Sequence, residues 1–127
     1  MKKMKRLGDA ELEIMLVIWE AQGPVTSSYV LSALEGKRDW RLSTLMTVLS
    51  RLVDKGFLQL HKEGRSNFYS PVVTEEDYRR SESKDVLEKL FGNNIRAMVS
   101  SLVGGKAISE EDIHSLRQYL DDIEGEK

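Results

Sequence analysis

The sequence predicts a mostly α-helical chain with one small β-hairpin, divided into an N-terminal part of residues 1–73 and a C-terminal helical part of residues 74–127. Three observations predict it. Apolar residues recur at helical spacing over most of the chain, one stretch near residues 58–69 alternates around a glycine-containing polar turn, and beyond Pro71 every apolar stripe is helical again.

Asp9 caps a first helix over residues 10–21 with Leu12, Met15, Leu16 and Trp19 as its stripe, and Gln22-Gly23-Pro24 ends it. Val25-Thr26 opens a shorter helix whose Tyr29, Val30, Leu31 and Leu34 supply apolar surface, closing near Gly36. Arg38-Asp39-Trp40-Arg41 leads into a third helix with Leu45, Val48, Leu49, Leu52 and Val53 along one side. Lys55-Gly56 stops it, since glycine supplies a left-handed cap conformation that other residues resist. Leu58 and Leu60 then alternate with Gln59, His61 to Ser66 interrupt, and Asn67-Phe68-Tyr69 resumes the extended pattern, so that Lys62 and Arg65 fall near a hairpin tip. Trp19, Tyr29, Leu45, Leu49, Leu52 and Leu58 are expected to share one core, with Trp19 packed rather than stacked on bases.

Three helices followed by a hairpin make a winged helix-turn-helix, and the free side of the third helix bears on its use. Thr44, Thr47, Ser50 and Arg51 stand there. Short hydroxyls let a helix approach base edges while one long cation grips phosphate, whereas a merely solvated helix more often carries Glu and Lys. Lys62 and Arg65 at the wing tip could reach the backbone of the adjacent groove, or could be incidental charge on a solvated turn.

Beyond Pro71, Thr74-Glu75-Glu76-Asp77 resembles a capping box and starts a helix with Val86, Leu87, Leu90 and Phe91, broken by Gly92-Asn93. A second stripe of Ile95, Met98, Val99, Leu102 and Val103 ends at Gly104-Gly105, and a third, begun by Ser109-Glu110-Glu111-Asp112, shows Ile113, Leu116, Leu120 and Ile123. So small a helical unit buries too little to be stable alone, which makes it a three-helix dimerisation domain that packs on a copy of itself; a ligand pocket near Met98 is the alternative.

Composition excludes other classes. The 127 residues contain no cysteine, which rules out a disulfide framework and thiolate metal binding. Charged residues make up 31% of the chain and no apolar run is long enough to span a bilayer, so a soluble, cytoplasmic protein without membrane insertion is expected. Residues 1–6 are basic but lead into Leu7-Gly8-Asp9 rather than an apolar stretch, unlike a secretory signal. His61 and His114 stand alone, no serine sits in a nucleophile elbow, and Asp121-Asp122 lies on a solvated helix; no enzyme, metal or cofactor is expected. The net charge of -2 is unevenly spread: residues 1–73 hold 11 Lys and Arg against 8 Asp and Glu, and residues 74–127 hold 8 against 13. That asymmetry suits a DNA-facing part joined to one with another task.

The chain resembles the BlaI/MecI family of bacterial penicillinase repressors, to which the copper-responsive CopY repressors are related. The resemblance covers residues 7–123 and is carried by Ala10-Glu11-Leu12-Glu13-Ile14-Met15 through Ile18-Trp19, by Thr44-Leu45-Met46-Thr47-Val48-Leu49-Ser50-Arg51-Leu52 with Lys55-Gly56, by Phe68-Tyr69-Ser70 and by Leu87-Glu88-Lys89-Leu90-Phe91-Gly92. It implies a homodimeric repressor on a palindromic operator, with the third helix in the major groove, Thr44, Met46 and Thr47 at the bases and Arg51 on phosphate. The candidate DNA-contacting set is Arg41, Ser43, Thr44, Met46, Thr47, Ser50, Arg51, Lys55, Lys62 and Arg65; the candidate dimerisation set is Leu87, Leu90, Phe91, Ile95, Met98, Val99, Leu102, Ile113, Leu116, Leu120 and Ile123. Arg41-Leu42-Ser43 departs from the residues usual before the matched threonine, and Met46 replaces a commonly polar position. The resemblance also implies release by a membrane-bound sensor metalloprotease that cuts an Asn-Phe bond. Ser101 and Leu102 occupy that place here, and the cysteines of copper sensing are missing, so the inducing signal stays open. Two rival readings remain: a winged-helix protein-interaction module that binds no DNA, and a repressor gated by a small ligand between its C-terminal helices.

Overall fold

The computed structural model describes residues 4–126. In chain order it contains α1 (Asp9–Ala21), α2 (Ser27–Ala33), α3 (Leu42–Asp54), β1 (Leu58–Glu63), β2 (Ser66–Pro71), α4 (Glu75–Phe91), α5 (Ile95–Gly104) and α6 (Glu110–Gly125). The mostly helical chain with one small hairpin is therefore the observed architecture.

Two compact units are present, and they divide after Glu82, within α4, rather than at the expected 73/74 boundary. The reason is Tyr78. It is buried, its ring meets Phe57 edge-on at 5.7 Å and lies 5.9 Å from Trp19, and its hydroxyl accepts a hydrogen bond from the Leu7 N–H at 2.9 Å. The start of α4 thus closes the core of the first unit. Trp19 joins the same cluster and donates its indole N–H to the Val73 carbonyl at 2.9 Å, a packed, partnered tryptophan as expected.

That core is built from Ile14, Met15 and Ile18 of α1, Val30 of α2, Leu45, Leu49 and Leu52 of α3, and Leu34, Phe57, Leu58 and Tyr69 around them. The stripe expected for α1 is partly wrong. Leu16 is exposed, Leu12 and Trp19 are half-buried, and Glu11, Ile14, Val17 and Ile18 are buried instead, because α1 is covered on more than one side and a single-stripe pattern misplaces its inward face. Gly8, not Asp9, is its N-cap. Tyr29 is 49% exposed and leaves the expected core, its place on α2 taken by Val30.

The hairpin is longer than the sequence pattern suggests. β1 and β2 pair antiparallel from Leu58↔Pro71 to Glu63↔Ser66, so the stretch that looks like an interruption is ladder except for a two-residue turn, with Gly64 first in it at φ 62. Val25, between α1 and α2, exchanges both main-chain hydrogen bonds with Tyr69, at 3.0 and 2.8 Å. This one-residue third strand ties the hairpin to the helices.

In the second unit, from Ser83 onward, Asn94 caps α5 by accepting from the Ala97 N–H, and Ser109 and Asp112 form a reciprocal capping box at α6. Among the described residues of this unit none is buried. Val86, Leu87, Phe91, Met98, Val99 and Ile113 are half-buried, while Leu90, Ile95, Leu102, Leu116, Leu120 and Ile123 are exposed. No described helix is long and apolar enough to cross a membrane.

Candidate nucleic-acid interface

The amphipathic pattern of α3 fixes how it is presented. Leu45, Val48, Leu49 and Leu52 are buried and Val53 half-buried, so the helix cannot roll without opening the core. Its outward side carries Thr44, Thr47, Ser50 and Arg51, exposed as the sequence pattern predicts, together with the exposed Ser43 and Met46, Leu42 at one end and Asp54 at the other. Met46, Thr47, Ser50, Arg51 and Asp54 line a shallow hollow on this surface.

The two ends of α3 differ electrically. At the amino end Arg41 is the N-cap residue, no side chain caps the helix and no acid stands in the first turn, so free main-chain N–H groups and the positive end of the helix dipole face outward. At the other end stands the Asp54 carboxylate, 12 residues from Leu42 and about 18 Å away at 1.5 Å per residue. An anion is therefore favoured at the amino end, while at the carboxyl end the Asp54 carboxylate opposes it and Arg51 in the last turn attracts it.

Among the described residues, Arg41, Arg51, Lys62 and Arg65 are exposed cations without an ion-pair partner. Lys62 lies in β1 opposite Asn67 and Arg65 in the turn, so both are carried near the wing tip, Lys62 on the ladder rather than in a loop. Arg38 is engaged: its guanidinium pairs with Glu13 at 2.6 Å and lies 5.8 Å from the Trp40 ring centroid.

Lys55 does not belong with this set. Its ammonium meets the Glu11 carboxylate at 2.7 Å, with Glu11 only 5% exposed. Burial pushes the Glu11 carboxyl up, but hydrogen bonds from Lys55 and from the Gly8 N–H, with the positive charges of Lys55 and Arg51, outweigh it and hold the carboxyl below its ordinary value. Lys55 is a structural partner for a buried acid, which its place in sequence next to Gly56 does not reveal.

Thr47 donates its hydroxyl to the Ser43 carbonyl at 3.0 Å, one turn back. What it can offer a base is an oxygen lone pair and a methyl group. Leu42 is the surface residue the sequence pattern passes over; its place one turn before Met46 is the available clue.

The family model of the penicillinase repressor matches residues 7–122. The chain belongs to the penicillinase repressor family. The Bacillus licheniformis penicillinase repressor is 35% identical over 127 residues, all of this chain and 98% of that one. A methicillin resistance regulatory protein MecI of Mammaliicoccus sciuri is 27% identical over 118 residues, 93% of this chain and 95% of that one. Among solved structures, the B. licheniformis BlaI monomeric form in complex with the blaP half-operator is 42% identical, covers 61% of this chain and 94% of that one, and superposes with a TM-score of 0.52. The DNA binding domain of the repressor BlaI gives 0.53 at the same identity and coverage. For this member of the penicillinase repressor family, the winged-helix first unit is thus matched in sequence and in fold, and the family is one of transcriptional repressors.

Proposed function

We propose that the chain is a homodimeric transcriptional repressor that holds a palindromic operator with α3 in the major groove. The observation that carries this reading is α3 itself: a helix locked by one buried side, presenting hydroxyls and Arg51 outward, with uncapped amides and Arg41 at the end that would enter the groove. Thr44, Met46 and Thr47 read bases and Ser43, Ser50, Arg41 and Arg51 position the helix on the backbone, while Lys62 and Arg65 hold the phosphates beside the wing.

The second unit supplies the pairing. With no buried residue among those described and with Leu90 73% and Leu120 50% exposed, its apolar stripes are covered when two copies meet. Two linked reading heads then address two half-sites, and any change that separates them lowers affinity without touching α3. The relatives' names point to β-lactam resistance as the class of genes controlled, and a bacterial repressor bound to its operator works in the cytoplasm. Release follows the family mode, cleavage by a membrane-bound sensor metalloprotease, with the bond between the exposed Ser101 and Leu102 of α5 at the matching place.

Fluorescence anisotropy on the chain's own upstream intergenic DNA and on a scrambled duplex, at two salt concentrations, tests this. Salt-sensitive preference for the first, with two protomers per site, is the expected result. Equal or absent binding to both would overturn it in favour of an interaction module.

A further inference from the structure

The reading side of α3 is poor in groups that can donate to a base. Thr47 has committed its hydroxyl hydrogen to Ser43, and Thr44, Ser43 and Ser50 carry only short hydroxyls. Neither Asn nor Gln, the side chains that pair with adenine through two bonds, stands on this helix, and its one arginine, Arg51, lies toward the carboxyl half. Beyond the N-cap Arg41, the longest outward side chains of the first two turns are apolar. Leu42 is 51% exposed and Met46 36% exposed, one turn apart on the same side of the helix, and Met46 lines the hollow with Thr47 and Ser50. Together they form a small apolar strip able to meet an apolar group of matching size, and this flank lies beside the uncapped, phosphate-attracting end of the helix.

In the major groove the only apolar feature of a base edge is the C5-methyl of thymine. Accordingly, resting on the repressor reading above, we infer that α3 selects its half-site by thymine methyl groups, which pack on Met46 and on Leu42 one turn earlier, rather than by a direct pair of hydrogen bonds to a purine. Met46 is unbranched and polarizable and follows the surface of a methyl closely. Leu42 widens the apolar strip toward the amino end.

The experiment uses the full chain and the segment of its own upstream intergenic DNA that it protects, with thymines replaced one at a time by deoxyuridine. This change removes the methyl and leaves every hydrogen-bonding edge in place. At one or two positions per half-site the wild type is expected to lose about fourfold in affinity, the worth of one buried methyl-sized group, with the salt slope unchanged because no phosphate contact is lost. Met46→Ala or Leu42→Ala, both at exposed positions, should bind the thymine duplex more weakly and no longer distinguish it from its deoxyuridine counterpart. Specific binding by the wild type that is indifferent to deoxyuridine at every position overturns the methyl reading and leaves the repressor reading standing. No preference for the upstream duplex over a scrambled one overturns both.

Discussion

The Lys55 ammonium and the Glu11 carboxylate, 44 residues apart in sequence, meet at 2.7 Å and tie the carboxyl end of α3 to the first turn of α1. Because the acid is buried and the lysine stem partly so, removing the lysine strands a carboxylate away from water. Lys55→Met is expected to lower stability by about 1–3 kcal/mol at pH 7. The Glu11 carboxyl titrates below its ordinary value of 4.5, so its contribution is complete above that pH and is lost as pH falls through the lower folded value. In the variant, burial is unopposed by the ammonium and the carboxyl moves up. The gap between variant and wild type in urea melts should therefore narrow as pH falls through the variant's higher carboxyl value towards the wild type's lower one; a gap that stays constant would mean the ion pair is not its source.

Arg51 and Thr47 separate two roles on one helix. Arg51→Ala should weaken binding to every duplex alike and reduce the slope of log affinity against log salt by about one. Thr47→Ala should leave the slope alone and change which base is preferred at one position. Matching losses on all operator variants for both substitutions would refute this division.

Tyr78 joins the start of α4 to the rest of the first unit through one hydrogen bond and two ring contacts. Tyr78→Phe keeps the rings and strands the Leu7 N–H, so a loss of about 1–2 kcal/mol is expected in thermal or chemical unfolding. An unchanged midpoint would show that water replaces the hydroxyl without cost.

The α6 stripe offers a direct check on pairing. Leu120→Asp places a charge on an already exposed position, so it should leave the winged-helix unit folded while shifting sedimentation from dimer to monomer. Affinity for the full palindrome should drop by roughly a hundredfold, with half-site affinity kept. A variant that stays dimeric would place the contact elsewhere.

The amino-acid sequence makes most of α3 legible, because only one side of that helix is buried: four of the five residues in the apolar stripe are buried, and the fifth, Val53, is half-buried. α1 is less legible: its neighbours cover more than one side, and a single stripe cannot tell Leu16, which is exposed, from Val17, which is buried. The strands beyond Leu60 escape the pattern because His61, Lys62 and Glu63 are all exposed, and an open two-stranded ribbon has no covered side to leave a period-two mark; its pairing is main-chain. Lys55 resembles a surface cation in sequence because its partner lies far away along the chain. Tyr78 gives no periodic signal either, being the one apolar side chain in the charged and serine-containing first half of its helix.

The absence of a buried residue among those described in the second unit also bears on how much of the protein a cell retains. In the homodimer proposed above, a subunit whose C-terminal helices have no interior of their own would be well folded there only in company, and its lifetime would follow its own abundance. Below some concentration, lone chains would be unravelled and cleared faster than they re-pair, and occupancy of the operator would collapse over a narrow range rather than fade in proportion to synthesis.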